Sequence, residues 1–228
     1  MKTLQEKSDI YYAQAAVYEA FSAAEDAGGL VLAELLPAIK GKTVLDLGCG
    51  TGKYTALLAP HAKHITGLDA APAQLDIARE RTVNFTNVDF IEGDAAEATL
   101  QRTYDVVLAC WMLGTIADEG KRGAILDRLD YNISFGGEIF LVENAEGSEF
   151  ERIRGRVDDP EQRTKRYNDW VLGRGFRNLR DLDAHFEFET LEKAREIFGA
   201  IWGDAAAARI TAPRIQHKIT IYRKVLGR

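Results

Sequence analysis

The stretch Val44-Leu-Asp-Leu-Gly-Cys-Gly-Thr-Gly-Lys53 decides the fold of this chain, because an apolar run in it breaks into a glycine-rich turn and then a helical pattern. A parallel strand that is buried on both faces is almost continuously apolar, as residues 43–47 are. The glycines have no Cβ, so the backbone can adopt a positive φ and approach a ligand closely. A helix predicted over residues 53–58 directs its unpaired N–H groups toward the same place. Strand, turn and helix together indicate a cofactor site.

Two nucleotide-binding motifs do not fit this stretch. A dinucleotide fingerprint needs G-x-G-x-x-G, but Lys53 occupies the position of the last glycine. A phosphate loop needs four residues between its glycines and then Lys-Ser/Thr, whereas Gly48 and Gly52 are separated by three and Tyr54 follows the lysine. The remaining pattern, an acidic residue at Asp46 followed by x-G-x-G-x-G, resembles the first motif of class I S-adenosylmethionine-dependent methyltransferases. In that family the turn packs against the methionine part of the cofactor.

Length and composition predict one domain over residues 1–228. The chain has 46% apolar residues, enough for a full core. It has no apolar run approaching the 18 residues of a membrane span, and its N-terminus is unlike a secretory signal. Two cysteines form no disulfide framework, so we expect a cytoplasmic protein. Cys49 and Cys110 are interpreted as ordinary buried thiols, and no metal site is predicted.

The charge is unevenly distributed along the chain. The net charge is −6, with −11 in residues 1–150 and +5 in residues 151–228. The acidic part argues against a nucleic-acid footprint over the whole molecule. The basic part leaves open an anionic substrate or a local RNA contact.

Strand-like runs alternate with helical patterns through most of the chain, which is typical of βαβ units around a parallel sheet. The closing strand–helix–strand pattern resembles the sixth and seventh strands of the methyltransferase fold. The resemblance implies an α/β, Rossmann-like, seven-stranded mixed sheet of order 3-2-1-4-5-7-6, with strand 7 antiparallel and helices on both faces. The predicted elements are an opening helical region at 8–36, strands at 43–47, about 64–68 ending at Asp69, 88–91 reaching residues 92–94, 104–109 ending near Cys110, and 138–142, and then a strand at 185–189, a helix at 191–202 and a strand at 218–224.

Acidic residues at the ends of predicted strands are the candidate cofactor ligands. Asp69 follows Gly52 by 17 residues, near the spacing at which a carboxylate meets a ribose diol in charge-assisted hydrogen bonds. The alternative role of Asp69 is to cap the helix that begins near Pro72. In the family, an acid at the position of Asp94 binds the adenine amino group, while the next N–H meets a ring nitrogen. A helix cap is again the alternative.

An isolated charge inside an apolar strand is expensive, so Asp46 is expected to orient the glycine turn or meet the cofactor ammonium. Lys53 either faces the cofactor carboxylate or is solvated. The cofactor site that the resemblance implies comprises Asp46, Gly48, Cys49, Gly50, Gly52, Asp69, Ala70, Asp94, Ala95 and Cys110.

The sequence identifies the methyl acceptor less clearly, and it assigns no catalytic residue. Many small-molecule relatives have a histidine near Gly114 or Thr115, which this chain lacks, and the Asn-Pro-Pro-aromatic motif of some amino-group methyltransferases is also missing. Residues 1–36 are interpreted as a helical lid or cap, with simple packing on the sheet as the alternative. Residues 145–181 are interpreted as a substrate-side insertion, whose arginines either bind a carboxylate or phosphate or form a solvated helix face. The candidate substrate residues are Tyr11, Tyr12, Tyr18, Trp111, Asn144, Arg152 and Trp170.

Taken together, these features predict methyl transfer from S-adenosyl-L-methionine to an oxygen or nitrogen of a small molecule, with S-adenosyl-L-homocysteine as the product. Two alternatives stay open, namely an RNA- or protein-directed methyltransferase that uses the basic C-terminal half, and a non-catalytic cofactor-binding subunit. We expect no membrane partner and no nucleic-acid partner. The sequence does not predict the oligomeric state.

Overall fold

A seven-stranded sheet of order β3-β2-β1-β4-β5-β7-β6 organises the protein in the computed structural model, which describes residues 14–156, 159 and 162–227. This strand order is the one that the sequence resemblance implies. The strands are β1 (Thr43–Leu47), β2 (His64–Asp69), β3 (Val88–Glu92), β4 (Tyr104–Cys110), β5 (Ile133–Asn144), β6 (Arg177–Glu187) and β7 (Arg214–Val225).

Strands β1 to β5 are parallel, so their carboxyl ends all lie at the same end of the sheet. β1 is parallel to both β2 and β4, with Asp46 opposite Gly67 on one side and Leu108 on the other. β7 lies between β5 and β6 and is antiparallel to both, as expected. From β1 the chain builds the sheet outward through β2 and β3 on one side, and it then returns to place β4 on the other side of β1. Open α/β sheets form a binding crevice at such a reversal of strand order, here between β1 and β4.

Helices cover both faces of the sheet. Alternate strand residues point to opposite faces, so Leu45 and Val107 join one buried cluster while Val44 and Val106 join another. The helices are α1 (Ala15–Ala24), α2 (Leu30–Ile39), α3 (Lys53–Leu58), α4 (Pro72–Arg81), α5 (Glu119–Leu129), α6 (Glu149–Ile153), α7 (Arg163–Gly173), α8 (Leu191–Trp202) and α9 (Asp204–Ala207). The first cluster includes side chains of α5 and α7, and the second includes side chains of α2 and α3.

A third buried cluster, rich in aromatic side chains, packs α1 against β6 and α8. Phe21 of α1 packs on Phe186 of β6 with ring centroids 4.9 Å apart and on Trp202 of α8 at 5.2 Å. Phe150 and Phe198 complete the cluster. The described part of α1 is therefore anchored by apolar packing.

The opening helical region differs from the prediction of one span at 8–36. The described part contains two helices, separated by Asp26 at φ 51° and Gly29 at φ 65°, both outside the right-handed helical range. Asp26 accepts hydrogen bonds from the N–H groups of Leu30 and Val31, so it starts α2. Because α2 packs against the sheet, a lid could comprise only α1 and what precedes it.

Three strands are longer than their apolar patterns indicate. β5 was predicted at 138–142 and begins at Ile133, before the Gly136-Gly137 pair. β6 was predicted at 185–189 and begins at Arg177, so its first residues fall inside the proposed insertion at 145–181. These first residues are mostly exposed because β6 is an edge strand, and they show no apolar alternation. β7 likewise begins at Arg214, four residues before the predicted strand.

In the part of the chain that the structure describes, we find no helix with the length and apolar character that crossing a membrane requires.

Candidate functional site

A cavity of about 740 Å³ opens at the carboxyl ends of the central strands. Its volume lies in the range of about 300–1,000 Å³ that is usual for small-molecule sites. One end is formed by the glycine turn after β1, the ends of β2 and β3 and Cys110 at the end of β4, and we call this the cofactor end. The other is formed by the end of β5 and by residues near α6 and α7, and we call this the acceptor end.

The glycine turn is held close to its neighbours and leaves no room for larger residues. Gly48 has φ 72°, and a Cβ built on it would lie 2.2 Å from Cγ of Met112. The N–H groups of Gly48 and Cys49 donate to the carbonyl of Leu68 at 2.7 and 3.1 Å, which ties the turn to β2. Both the conformation and the contact therefore require glycine at position 48.

Asp69 connects the turn to the start of α4. Its Oδ2 accepts the N–H of Gly50 and its Oδ1 accepts the N–H of Ala71, each at 2.9 Å. Burial raises the pKa of Asp69, and these backbone hydrogen bonds oppose the rise. The N-cap of α4 is Ala71 and no described side chain caps this helix, so Asp69 forms a turn just before the helix rather than the predicted cap. Each carboxylate oxygen has a second lone pair, so the same group can also accept hydroxyl donors from the cavity that it lines.

Asp94 also accepts a hydrogen bond from a backbone N–H two residues ahead in the chain, and in addition it forms an ion pair. Its Oδ1 accepts the N–H of Ala96 at 2.8 Å, and its Oδ2 accepts from Nζ of Lys121 at 2.6 Å. The hydrogen bond from Lys121 is the main cause of a lowered pKa at Asp94. Asp94 lines the cavity together with Ala70 and Ala95, while Lys121 occupies one of the carboxylate positions that an adenine amino group could use.

Three residues of the predicted cofactor set lie behind the cavity wall. Asp46 is 2% exposed and accepts from Oγ1 of Thr55 at 2.5 Å, and burial raises its pKa to about 6. It therefore braces α3 from β1, and it is absent from the described residues lining the cavity. A Cβ on Gly52 would meet Ala78 at 2.8 Å, so Gly52 allows α3 and α4 to pack. Cys49 lies close to Gly67 of β2, where its Sγ is 2.9 Å from the position of a built Cβ.

Lys53 follows neither of its two predicted roles. Its Nζ donates to the carbonyls of Ser22 and Glu25, at the end of α1 and just beyond it. Burial is the main cause of a lowered pKa at this lysine. Lys53 therefore fastens α1 to the turn that follows β1.

At the acceptor end, Glu143 of β5 is buried and only partly hydrogen-bonded. Its Oε1 accepts from the hydroxyl of Tyr167 at 2.6 Å and from the N–H of Gly114 at 3.3 Å. Burial raises the pKa of Glu143 to about 7, while the hydrogen bond from Tyr167 lowers it. Glu143 is not among the substrate residues that the sequence predicted.

A second buried carboxyl lies beside a neutral histidine. Oε1 of Glu25 is 3.3 Å from Nδ1 of His217, and Nε2 of His217 is 2.8 Å from Oδ1 of Asn144. Burial raises the pKa of Glu25 to about 8 and lowers that of His217 to about 3. The Glu25–His217 contact is therefore between neutral groups rather than an ion pair. We assign the histidine proton to Nε2, because the amide oxygen of Asn144 is an acceptor.

Arg154 lines the cavity, as do Arg122, Arg156, Arg163 and Arg166, whereas the predicted Arg152 is not among the described lining residues. Successive helical residues are about 100° apart, so the side chains of Arg152 and Arg154 leave α6 and its C-cap in different directions. Arg152 is exposed, whereas Arg154 lines the cavity over the ring of Phe150 at 4.8 Å and is 3.4 Å from Glu151.

The other predicted substrate residues divide into two groups. Tyr18, Trp111 and Asn144 line the cavity, as does Cys110 from the cofactor set. Trp111 has φ 50°, an uncommon value for a bulky residue, and its ring also packs on His217 at 5.9 Å. Trp170 is not among the described lining residues, but it packs on Tyr167 and Arg122, which are. Tyr11 and Tyr12 lie outside the described residues.

Sequence reasoning missed Glu25 and His217. No local signal distinguishes Glu25 from a solvated residue at a helix end. His217 did carry a signal, because it alternates with Ile215 and Ile219 and so falls on the inward face of β7. Among the described residues, no group of three or more histidine, cysteine or acidic side chains could hold a metal ion.

Comparison with known proteins gives one family match and several relatives. Residues 44–130 match a family model described as a methyltransferase domain. Over 118 residues the chain is 32% identical to a cypemycin N-terminal methyltransferase of a Streptomyces species, which covers 51% of this chain and 47% of that protein. This and the other leading curated relatives are matched over about half of their length or less.

Solved structures with the same fold are more distant in sequence. The YcgJ protein of Bacillus subtilis has a TM-score of 0.59 and 14% identity, covering 87% of this chain and 97% of that one. The N-methyltransferase NodS of Bradyrhizobium japonicum, solved with S-adenosyl-L-homocysteine, has a TM-score of 0.54 and 15% identity, covering 86% and 84%. At these identities the likeness concerns the fold.

Proposed function

We propose that this chain, of which residues 44–130 match a methyltransferase domain, transfers a methyl group from S-adenosylmethionine to an oxygen or nitrogen of a small molecule, as class I methyltransferases do. The product from the cofactor is then S-adenosylhomocysteine. The observation that supports this most directly is the unit of Gly48, Gly50 and Asp69 at one end of a cavity whose other end contains ionisable side chains.

The residues at the cofactor end suit the cofactor chemically. Asp69 has lone pairs available for the two ribose hydroxyls, and the glycine turn allows the methionine part to approach the backbone. Ala70, Asp94, Ala95 and Cys110 line the same end, where the adenosine part can be held. The cofactor supplies a methyl group that is already reactive because it is bound to a positive sulfonium. The protein must therefore mainly orient the acceptor and exclude water.

A small-molecule acceptor is favoured over a nucleic acid for two reasons. The acceptor end is an interior space with Arg154 and Glu143 in its wall, and the chain carries a net charge of −6. The relatives include a phosphoethanolamine N-methyltransferase of Triticum aestivum, which is named for a small-molecule acceptor, although another relative is named as an RNA methyltransferase. We also place the protein in the cytoplasm, in agreement with Cys49 and Cys110, which are both free.

Calorimetric titration with S-adenosylmethionine and S-adenosylhomocysteine tests the proposal, with ATP as a control for general adenine binding. We expect both cofactor forms to bind in the micromolar range and ATP to bind far more weakly. Turnover is then followed as formation of S-adenosylhomocysteine in the presence of small amines and alcohols. Absence of binding by either cofactor form would reject the proposal. Binding without turnover of any acceptor would favour the non-catalytic cofactor-binding subunit.

A further inference from the structure

We propose that Glu143 forms an ammonium-binding site at the point of methyl transfer, so that the acceptor is an amine whose proton passes to Glu143. This inference rests on the proposed methyltransferase function and adds to it the class of acceptor and a catalytic residue. It follows from the position, the hydrogen bonds and the surroundings of one carboxylate.

Glu143 lies where the sheet meets the cavity. It pairs with Thr220 of β7 near the end of β5 and is 2% exposed, yet it lines the same space as Gly48 and Cys110 of the cofactor end. A carboxylate this far from water is expensive unless something compensates its charge.

The two oxygens of Glu143 differ in their surroundings. Oε1 accepts both protein hydrogen bonds, from Tyr167 and from the N–H of Gly114. Within the described residues Oε2 accepts none. A Cβ on Gly114 would lie 2.8 Å from Oε2, so the glycine leaves the space next to this oxygen open. The carboxylate is thus held by one oxygen while the other is available to a ligand.

Charged and titratable groups surround this carboxyl from several elements. Tyr167 of α7, Arg122 of α5 and Arg154 after α6 each favour its ionised form, whereas burial opposes it. Glu25, beyond α1, is close enough that Glu143 contributes to the raised pKa of Glu25, after burial as the main cause. The result is a pKa of about 7 for Glu143. This value is closer to the pKa of an ammonium group than the pKa of an ordinary carboxylate is. Proton transfer from an ammonium to Glu143 is correspondingly less uphill.

The reaction balances with Glu143 as the proton acceptor. An acceptor R–NH₃⁺ first gives one proton to the Glu143 carboxylate and becomes R–NH₂. Its nitrogen lone pair then forms a bond to the methyl carbon, and the electrons of the carbon–sulfur bond pass to sulfur, which becomes a neutral thioether. The products are R–NH₂⁺–CH₃, S-adenosylhomocysteine and a protonated Glu143 that releases its proton to water.

Sinefungin is the probe that tests this site without knowledge of the acceptor. In this cofactor analogue a carbon bearing a primary amine replaces the sulfonium and its methyl group, so the amine marks the point of methyl transfer. We compare sinefungin and S-adenosylhomocysteine by calorimetry in the wild type, in Glu143→Gln and in Glu138→Gln. Glu138 lies on the same strand, pairs with Arg223 and serves as the matched control.

We expect Glu143→Gln to weaken sinefungin at least tenfold at pH 8 and to leave S-adenosylhomocysteine within about twofold, while Glu138→Gln changes neither. In the wild type, sinefungin affinity should rise about tenfold from pH 6 to pH 8 as Glu143 ionises, and this rise should vanish in Glu143→Gln. Equal affinity for sinefungin in the wild type and Glu143→Gln would overturn the inference. Failure of the wild type to bind S-adenosylhomocysteine would instead reject the methyltransferase function itself.

Gly114→Ala provides a second test that keeps the carboxylate. The added methyl group crowds Oε2 and leaves Tyr167 in place, and the backbone of Gly114 has no positive φ that an alanine would strain. We expect weaker binding of sinefungin and unchanged binding of S-adenosylhomocysteine. Unchanged sinefungin binding would show that Oε2 does not face the transferred group.

Discussion

The two ends of the cavity satisfy their polar groups in different ways. At the cofactor end, the carboxylates of Asp69 and Asp94 accept backbone N–H groups two residues ahead in the chain, from Ala71 and Ala96. At the acceptor end, Glu143 is held by Tyr167, which is 24 residues away. Partners that are close in sequence produce recognisable motifs, whereas distant partners do not.

The difference also appears in the ionisation of the groups. Asp94 is largely exposed and has a lowered pKa, whereas Glu25, Glu143 and His217 are buried and their pKa values shift toward the neutral forms. Burial that disfavours charge, combined with an open cavity beside it, is a common property of sites that move protons. The proposed roles, cofactor binding at one end and proton transfer at the other, agree with this difference, and four changes test them.

The largest expected effect is on stability at alkaline pH. Unfolding returns Glu143 from a pKa of about 7 to its ordinary 4.5, so its contribution to stability is fully present below pH 4.5 and is lost as pH rises to about 7. Over this pH range the free energy of unfolding falls by about 3 kcal/mol because of this one group. Glu143→Gln should avoid this loss and melt several degrees above the wild type at pH 8.5, with a smaller difference at pH 5.5. Melting curves of both proteins across pH measure this, and a difference that does not change with pH would contradict the burial of the charge.

At the cofactor end, Asp69→Ala should weaken S-adenosylhomocysteine by roughly 10- to 100-fold, because charge-assisted hydrogen bonds contribute about 1.5–3 kcal/mol. The variant also loses the acceptor for the N–H of Gly50. Calorimetry measures the affinity, and Asp76→Asn is the control, since Asp76 is an exposed residue of α4 paired with Arg79. An affinity that matches the control would refute the ribose role of Asp69.

Lys53→Met tests whether Lys53 holds α1 or the cofactor. Loss of its hydrogen bonds to the carbonyls of Ser22 and Glu25 should cost about 1–2 kcal/mol, or a few degrees in melting temperature. Affinity for S-adenosylhomocysteine should stay within about twofold. Lys63→Met, at an exposed lysine, should change neither quantity. A large loss of affinity with normal melting would restore the cofactor carboxylate as the partner of Lys53.

The smallest effect is expected from a pair of arginines. Arg154 lowers the pKa of Glu143, so Arg154→Ala should move the pH dependence of sinefungin binding slightly upward. Arg152→Ala should leave it unchanged, because that side chain is exposed and lies outside the described cavity lining. Equal shifts from both variants would mean that the helix as a whole, rather than Arg154, acts on Glu143.

Much of the fold could be predicted because its signals are local. The apolar run before Gly48 and the alternation of strands and helices indicated a parallel sheet, and the family resemblance supplied the correct strand order, including the antiparallel β7. The errors have a common cause, since β6 begins with exposed residues and Asp26 interrupts the opening helices without a proline. Neither feature changes hydrophobic periodicity, on which the predictions rested.

The cofactor end was predicted more completely than the acceptor end. Gly48, Gly50, Asp69, Ala70, Asp94, Ala95 and Cys110 line the cavity, whereas Asp46, Cys49 and Gly52 support it from behind. A motif shows which residues are near a turn, but it does not show whether each side chain points toward the cavity or into the core. That direction depends on the helices packed around the turn.

By itself, the sequence determined the glycine turn and the acidic residues at the strand ends, because each is specified by neighbours within a few residues, while the order of the sheet came from the family resemblance. Only the tertiary structure decided which carboxyls become proton-binding groups. Glu25, Glu143, Arg154 and His217 come from four separate segments, and their electrostatic effects on one another depend on the distances that folding creates. Desolvation and charge interactions act through space, so no spacing along the chain can encode them directly.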